Sequence, residues 1–254
     1  MKEIEPIAYF RSPFTSKFGI PRQSGLVHEL RGTIVLEPKF NREEALRGLE
    51  GFDYLWMIWG FSANSSEAWK DGDSLTVRPP RLGGNKRIGV FASRSPFRPN
   101  GLGLSSVRIV EIKSGEIIVE GADLMDGTPV YDIKPYLPYV DSHAKARGGF
   151  TDGNDWATLM VVFPDELKAR FQPDDAKALE EVLSQGPHPK YQHDHSRIYG
   201  MPFAGKDVKF RVENDKCWVL DVVETGITHD GKSGTQFICD NVTAYSEKRY
   251  FAQA

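Results

Sequence analysis

Two cysteines in 254 residues are too few for a disulfide-rich frame, and Cys217 and Cys239 lack the C-x-x-C spacing of a zinc or redox site. Ordinary buried thiols in a reducing compartment are the expectation. No apolar run reaches the ~20 residues that span a bilayer, and the opening MKEIEPIAYF lacks the apolar core of a secretory signal. A cytoplasmic location without membrane contact is therefore expected. No G-x-x-x-x-G-K-[ST] loop occurs, and GLGLSS offers Gly101-x-Gly103 without the third glycine of a dinucleotide fingerprint. A G-x-S-x-G elbow is missing as well. P-loop, Rossmann and α/β-hydrolase chemistry are thereby set aside. His188, His193, Asp194 and His195 match no zinc spacing, so no metal is expected.

What the chain does have is an ordinary globular composition, 40% hydrophobic and 26% charged, at a length that allows one large domain with a smaller companion. The net charge of −3 argues against binding nucleic acid by bulk electrostatics, but the charge is unevenly placed. Arg78, Arg81, Lys86, Arg87, Arg94, Arg98 and Arg108 fall between Arg78 and Val110, where no Asp or Glu occurs. A local basic field thus sits on an acidic body.

Runs rich in β-branched and aromatic residues recur at 7–10, 26–36, 54–61, 88–92, 104–112, 116–121 and 158–163, punctuated by Gly, Pro, Asn and Asp. The first 165 or so residues therefore read as mainly β. One crossover helix is expected after Asn41, which can cap, with Glu44 three residues on in a capping-box arrangement. After Pro164 the pattern turns helical over 165–171 and 174–185, with Gly186 as a stop. A Pro/His/Tyr-rich link, 187–199, and two strands, 208–213 and 217–223, joined by a hairpin at Asn214 and Asp215, complete a small α+β unit over 166–225. The polar tail 226–254 carries one candidate hairpin at Asp230 and Gly231.

Two stretches carry chemistry. Between Pro79 and Gly103 lie five glycines and four prolines, a shaped loop in which Gly lets backbone amides approach a ligand and Arg94 and Arg98 offer planar forks for an anion. A rigid basic turn with solvated arginines is the plainer account of the same composition. The second stretch, DLMDGTPVYDIKPYLPYVD at 123–141, has a polar turn at Asp126-Gly127-Thr128-Pro129, then Lys134, Tyr136 and Tyr139 as an aromatic and cationic wall suited to a base. Here a simple turn and core tyrosines explain the residues as well.

Together with IPRQSGL and RGLEGFDYLW, the segments VRPPRLGGNKRIGVFASRSPFRPNGLGLS and DLMDGTPVYDIKPYLPY resemble the TrmO family, also called TsaA-like, of tRNA (adenine) methyltransferases. The resemblance implies a single-sheeted antiparallel β-barrel over 1–165 that binds S-adenosylmethionine, followed by the small α+β domain. It also implies a homodimer, and methyl transfer to the exocyclic amine of threonylcarbamoyl-adenosine in the tRNA anticodon stem-loop. Cofactor contacts would then fall on Pro21, Arg22, Gln23, Ser62, Ala63, Arg94, Leu104, Asp126, Gly127, Thr128 and Pro129. Phosphate or the threonyl carboxylate would fall to Arg81, Lys86, Arg87, Arg98 and Lys134, and Asp126 is the candidate base. Two departures stand out: Ser62-Ala63 replaces a His-Gln pair, and Gly101 stands where Pro usually follows R-P-N. A barrel that binds RNA without catalysis, or a methyltransferase with another substrate, fits the basic loop too.

Overall fold

The computed structural model describes residues 3–63, 74–79, 86–152, 157–188 and 196–225. Six strands close into an antiparallel barrel: β1 (Ala8–Arg11), β2 (Arg31–Leu36), β3 (Tyr54–Gly60), β6 (Leu102–Lys113), β7 (Glu116–Glu120) and β8 (Thr128–Pro135), ordered β1-β2-β7-β6-β3-β8 with β8 returning to β1. Alternation explains the closure. In β3, Leu55, Met57 and Trp59 point inward, and they meet Ala8, Phe10, Ile34, Ile117, Val119 and Val130 in one core. Closure leaves no unpaired barrel edge.

A second sheet has the order β10 (Ile198–Phe203), β11 (Lys206–Glu213), β12 (Lys216–Glu224), β9 (Met160–Val162), with β9 parallel to β12. The expected strand at 158–163 is therefore present but joins this sheet. A single helical turn, α2 (Pro138–Asp141), follows β8, and helices α3 (Asp165–Lys168) and α4 (Pro173–Ser184) accompany the second sheet, with α4 burying Ala176, Leu179, Val182 and Leu183. Gly186 follows at φ +64, the left-handed geometry expected of a helix stop. The hairpin at Asn214 and Asp215 is as expected, with φ of 49 and 58.

Several elements differ from the sequence reading. Residues 26–30 are turn rather than strand, and β2 starts only at Arg31; Gly32 leaves space that the Phe10 ring fills, since a Cβ there would meet Phe10 Cζ. The helix near Asn41 is a single turn, α1 (Glu43–Leu46), whose N-cap is Arg42 with no side-chain cap bond. Asn41 lies instead against Gly115 in the β6–β7 turn, so the capping box does not form. The run 88–92 splits into a two-stranded hairpin, β4 (Thr76–Val77) with β5 (Ile88–Gly89), and a 3-10 turn at Val90–Ala92. β10 takes up the end of the stretch read as a link. The tail 226–254 with its Asp230-Gly231 hairpin, His193, Asp194, His195 and Cys239 lie outside the described residues.

The two cores are joined through the N-terminal loop. Phe14, Val27 and Leu30, which lie between β1 and β2, are buried in the second core with Phe171, Leu183 and Phe203. Charge reinforces the join: Arg31 reaches Glu120 at 3.0 Å and Asp174 of α4 at 2.6 Å, while Arg108 holds Glu120 at 2.6 Å. Burial alone would raise the Glu120 pKa, but the two guanidiniums outweigh it and hold the carboxylate below its usual value. Because the folded pKa lies below the unfolded one, this stabilisation is complete above the ordinary glutamate pKa and fades as pH falls through the lowered value. Glu120→Gln should accordingly lose less stability than the parent chain across that acid window, read from urea unfolding at successive pH values.

Cys217 is fully buried, and burial pushes its thiol pKa up to about 12, which makes it unreactive at neutral pH. No helix among the described residues is long and apolar enough to cross a membrane.

Candidate functional site

One end of the barrel is built almost wholly of loop, and its parts are tied together by a small number of long-range bonds. The loop leaving β1 is fixed to the turn before β8: the Ser12 amide donates to Asp126 Oδ1 at 3.0 Å, the Asp126 amide to Phe14 O at 2.8 Å and the Gly127 amide to Phe10 O at 2.8 Å. Further along that loop, the Gly25 amide donates to Gly121 O at 2.8 Å. From the basic segment, Arg94 Nη1 donates to Gln23 Oε1 at 2.6 Å. The Phe61 amide donates to Gly101 O at 2.9 Å, which brings the end of β3 to the start of β6.

These bonds gather most of the residues assigned to the cofactor. Pro21 is buried and Gln23 half-buried; Arg22 is exposed at the edge of a cleft of about 220 Å3 shared with Phe18, Leu26 and Val182 of α4. Partial burial of the Arg22 guanidinium lowers its pKa, though arginine starts so high that it stays cationic. Arg94 is exposed, and Leu104 projects from β6 with 56% of its surface open. Ser62 and Ala63 follow β3 directly and are exposed. Asp126 is engaged by Ser12 and lies 3.7 Å from Arg11 Nη1. Thr128 is buried, and its hydroxyl donates to Met125 O at 2.7 Å, so it shapes the turn. Gly127 is exposed at φ +73 with open space where a Cβ would stand, leaving its backbone accessible.

The residues assigned to RNA are more scattered. Arg81 lies outside the described residues. Lys86 and Arg87 are exposed beside the β4–β5 hairpin. Arg98 is half-buried, and its guanidinium donates to Ser93 O at 3.2 Å, bracing its own loop. Lys134 lies at the far end of β8 from Thr128, six residues or about 20 Å along the strand, and pairs with Asp132 at 2.7 Å. Within one chain Lys134 is not brought to this site.

Gly101 turns out to be more than a looser substitute for proline. It sits at φ +56 and its amide donates to Arg98 O at 3.0 Å, neither of which a proline allows. Gly101→Pro should cost on the order of 1–3 kcal/mol, seen as a lower urea midpoint at an unchanged slope.

Four residues that sequence reasoning passed over lie at the centre. Ser105 Oγ donates to Asp123 Oδ1 at 2.5 Å and accepts from Trp59 Nε1 at 2.9 Å, and the Ser24 amide also donates to Asp123. Trp59 lies flat against Gly103, where any Cβ would strike the indole. Burial pushes the Asp123 carboxyl above the usual carboxylate range, against the opposing effects of Ser105, Ser24 and Arg94. No local motif announces this set, because Trp59, Ser105 and Asp123 are separated by 46 and 18 positions. Among the described residues no group of three His, Cys, Asp or Glu is placed to hold a metal.

Both parts of the chain match known proteins. The family model of the tRNA-methyltransferase O N-terminal domain matches residues 9–142, and that of the TrmO C-terminal domain matches 157–225. The tRNA (adenine(37)-N6)-methyltransferase of Escherichia coli is 39% identical over 222 residues, 83% of this chain and 93% of its own. RcsF of Pseudomonas aeruginosa, assigned as an S-adenosylmethionine-dependent methyltransferase, is 42% identical over 227 residues, 86% of this chain and 96% of its own. The crystal structure of TrmO from Pseudomonas aeruginosa superposes with a TM-score of 0.71 at 35% identity, covering 88% of this chain and 98% of that one.

Proposed function

Because the chain belongs to the TrmO family of S-adenosylmethionine-dependent tRNA (adenine-N6)-methyltransferases, we propose that it methylates the exocyclic amine of threonylcarbamoyl-adenosine beside the tRNA anticodon. The observation that carries the reading is the convergence of 21–25, 94, 101–105 and 123–129 at one barrel end, next to a basic segment free of acidic residues.

The donor set suits the cofactor. An amino-acid carboxylate fits the guanidiniums of Arg22 and Arg94, an ammonium fits the Asp126 side, and the nucleoside fits the exposed Leu104 side chain with the open backbone at Gly127. When bound, S-adenosylmethionine supplies an electrophilic methyl on a cationic sulfur. The protein then has three tasks: to align the amine with that methyl at about 3–3.5 Å, to exclude water, and to receive a proton. The rigid tie of Arg94 to Gln23 serves the first task, and the Trp59, Phe61 and Gly103 wall serves the second.

Lys86 and Arg87 on the β4–β5 hairpin and Arg81 in the same basic segment fit phosphate backbone. The exposed apolar residues Leu75, Phe91, Phe97 and Leu104 fit a self-association surface beside the site, and the reading includes a homodimer. In a dimer, Lys134 of a second copy would be free to approach what Lys134 of the same chain does not.

Nucleoside mass spectrometry tests the substrate. Incubating the protein and S-adenosylmethionine with tRNA from a strain lacking this enzyme should convert threonylcarbamoyl-adenosine to its methylated form. Unchanged threonylcarbamoyl-adenosine beside methylated adenosine elsewhere would overturn the substrate assignment.

A further inference from the structure

A secondary amine bearing a carbamoyl group must give up its N–H when it is methylated, and a side chain placed to take that proton gains rate. Asp126 is already engaged by the Ser12 amide and lies beside the Arg11 guanidinium. Asp123, three residues earlier in the same turn, is held differently. The Trp59 indole can only donate, so by giving its hydrogen to Ser105 Oγ it obliges the Ser105 hydroxyl to point its own hydrogen at Asp123. The carboxylate is thereby fixed in orientation from β3 and β6, and from the 21–25 loop by the Ser24 amide. It is half-buried, not sealed, and stands among the segments that converge on the proposed cofactor position.

We propose that Asp123 is the proton acceptor of the methyl transfer, with Ser105 as its positioning residue. As the bond from N6 to the methyl carbon forms and the carbon–sulfur bond breaks, the N6 proton passes to the Asp123 carboxylate and then to water. The products are a neutral methylated amine and a thioether. This rests on the methyltransferase reading above. The groups facing Asp123 are the Ser105 hydroxyl from β6, the Ser24 amide, and the Arg94 guanidinium, with Trp59 behind Ser105. A carboxyl raised by burial is a stronger base than an ordinary one, and it should impose an acid limb on turnover above the usual carboxylate range.

The test compares the full chain with Asp123→Asn and Ser105→Ala. Asp123→Asn keeps an acceptor for Ser105, so calorimetric affinity for S-adenosylmethionine should stay within about threefold while turnover falls roughly 100- to 10,000-fold and its acid limb vanishes. Ser105→Ala removes a bond that lowers the Asp123 pKa, so the acid limb should move to higher pH. The carbon-13 titration of the Asp123 carboxyl, followed without cofactor, should move the same way. Turnover of Asp123→Asn within about threefold of the parent, or loss of cofactor affinity in step with turnover, would overturn the proposal. So would an unmoved acid limb in Ser105→Ala, which decides the matter if Asp123→Asn fails to fold. A parent chain that binds cofactor yet methylates no adenine N6 would overturn the functional reading and this inference together. A parent chain that methylates adenine N6, beside an equally active Asp123→Asn, overturns the inference alone.

Discussion

Arg94→Ala is expected to weaken S-adenosylmethionine binding by roughly 10- to 100-fold, the range for losing a charge-assisted hydrogen bond of about 1.5–3 kcal/mol. Two features make the loss large. Arg94 is held by Gln23 at 2.6 Å, so its guanidinium is already ordered and gives up little side-chain entropy on meeting a carboxylate. Its removal also leaves Gln23 Oε1 without that donor, so that among the described residues Gln23 is held only by its own amide bond to Arg22 O at 2.5 Å. Arg98→Ala should behave differently. That side chain braces Ser93 O, so its loss should lower stability and RNA affinity with a smaller effect on cofactor binding. Calorimetry on the two variants checks the contrast. Equal losses would mean that the whole basic loop acts as one electrostatic surface.

The largest stability effect is expected at Phe14. Its ring is fully buried in the second core, edge-on to Phe203 at 5.2 Å between centroids, yet its carbonyl receives the Asp126 amide at the barrel end. Phe14→Ala should cost about 3–5 kcal/mol, the range for truncating a buried aromatic. It should also weaken cofactor binding, because the Ser12–Asp126 and Phe14–Asp126 ties lose their anchor. Phe163→Ala, in the same core and packed on Phe171 away from the barrel end, should cost a comparable amount of stability while leaving affinity per folded molecule nearly unchanged. Urea unfolding and calorimetry together read both quantities. Parallel loss of affinity in the two variants would show that the second core acts only by general stability.

The barrel was legible wherever side chains alternate across one buried face. In β3 the run YLWMIWG gave its own bounds to within a residue, as did Glu116–Glu120. β8 was harder: TPVYDIKP begins in a turn tetrapeptide and ends in proline, so its composition reads as loop until the partners β1 and β3 are known. β10 hides for a similar reason. Gly200 and Pro202 are tolerated because it is an edge strand, where a missing amide breaks no ladder on the open side. The failed capping box at Asn41 shows tertiary packing overriding a local signal, since the Asn41 side chain lies against the Gly115 turn.

The candidate site divides along the same line. Arg94, Gln23 and the DGTP turn sit in segments with recognisable composition; Arg94 is bonded to Gln23, and Asp126 of the turn to the Ser12 amide. Asp123, Ser105 and Trp59 sit on or beside strands and meet only because β3, β6 and the turn before β8 are neighbours in space. Lys134 was read as adjacent to the turn because it is near in sequence, whereas an extended strand carries it to the opposite end.

The central claim is that the cofactor sits where residues 21–25, 94–105 and 123–129 converge. The most direct test is photo-crosslinking of isotopically labelled S-adenosylmethionine to the full chain, followed by peptide mapping. The account predicts label in peptides from those three segments, reduced in Arg94→Ala. Label confined to the second sheet, or label on the barrel end that Arg94→Ala leaves undiminished, would contradict it.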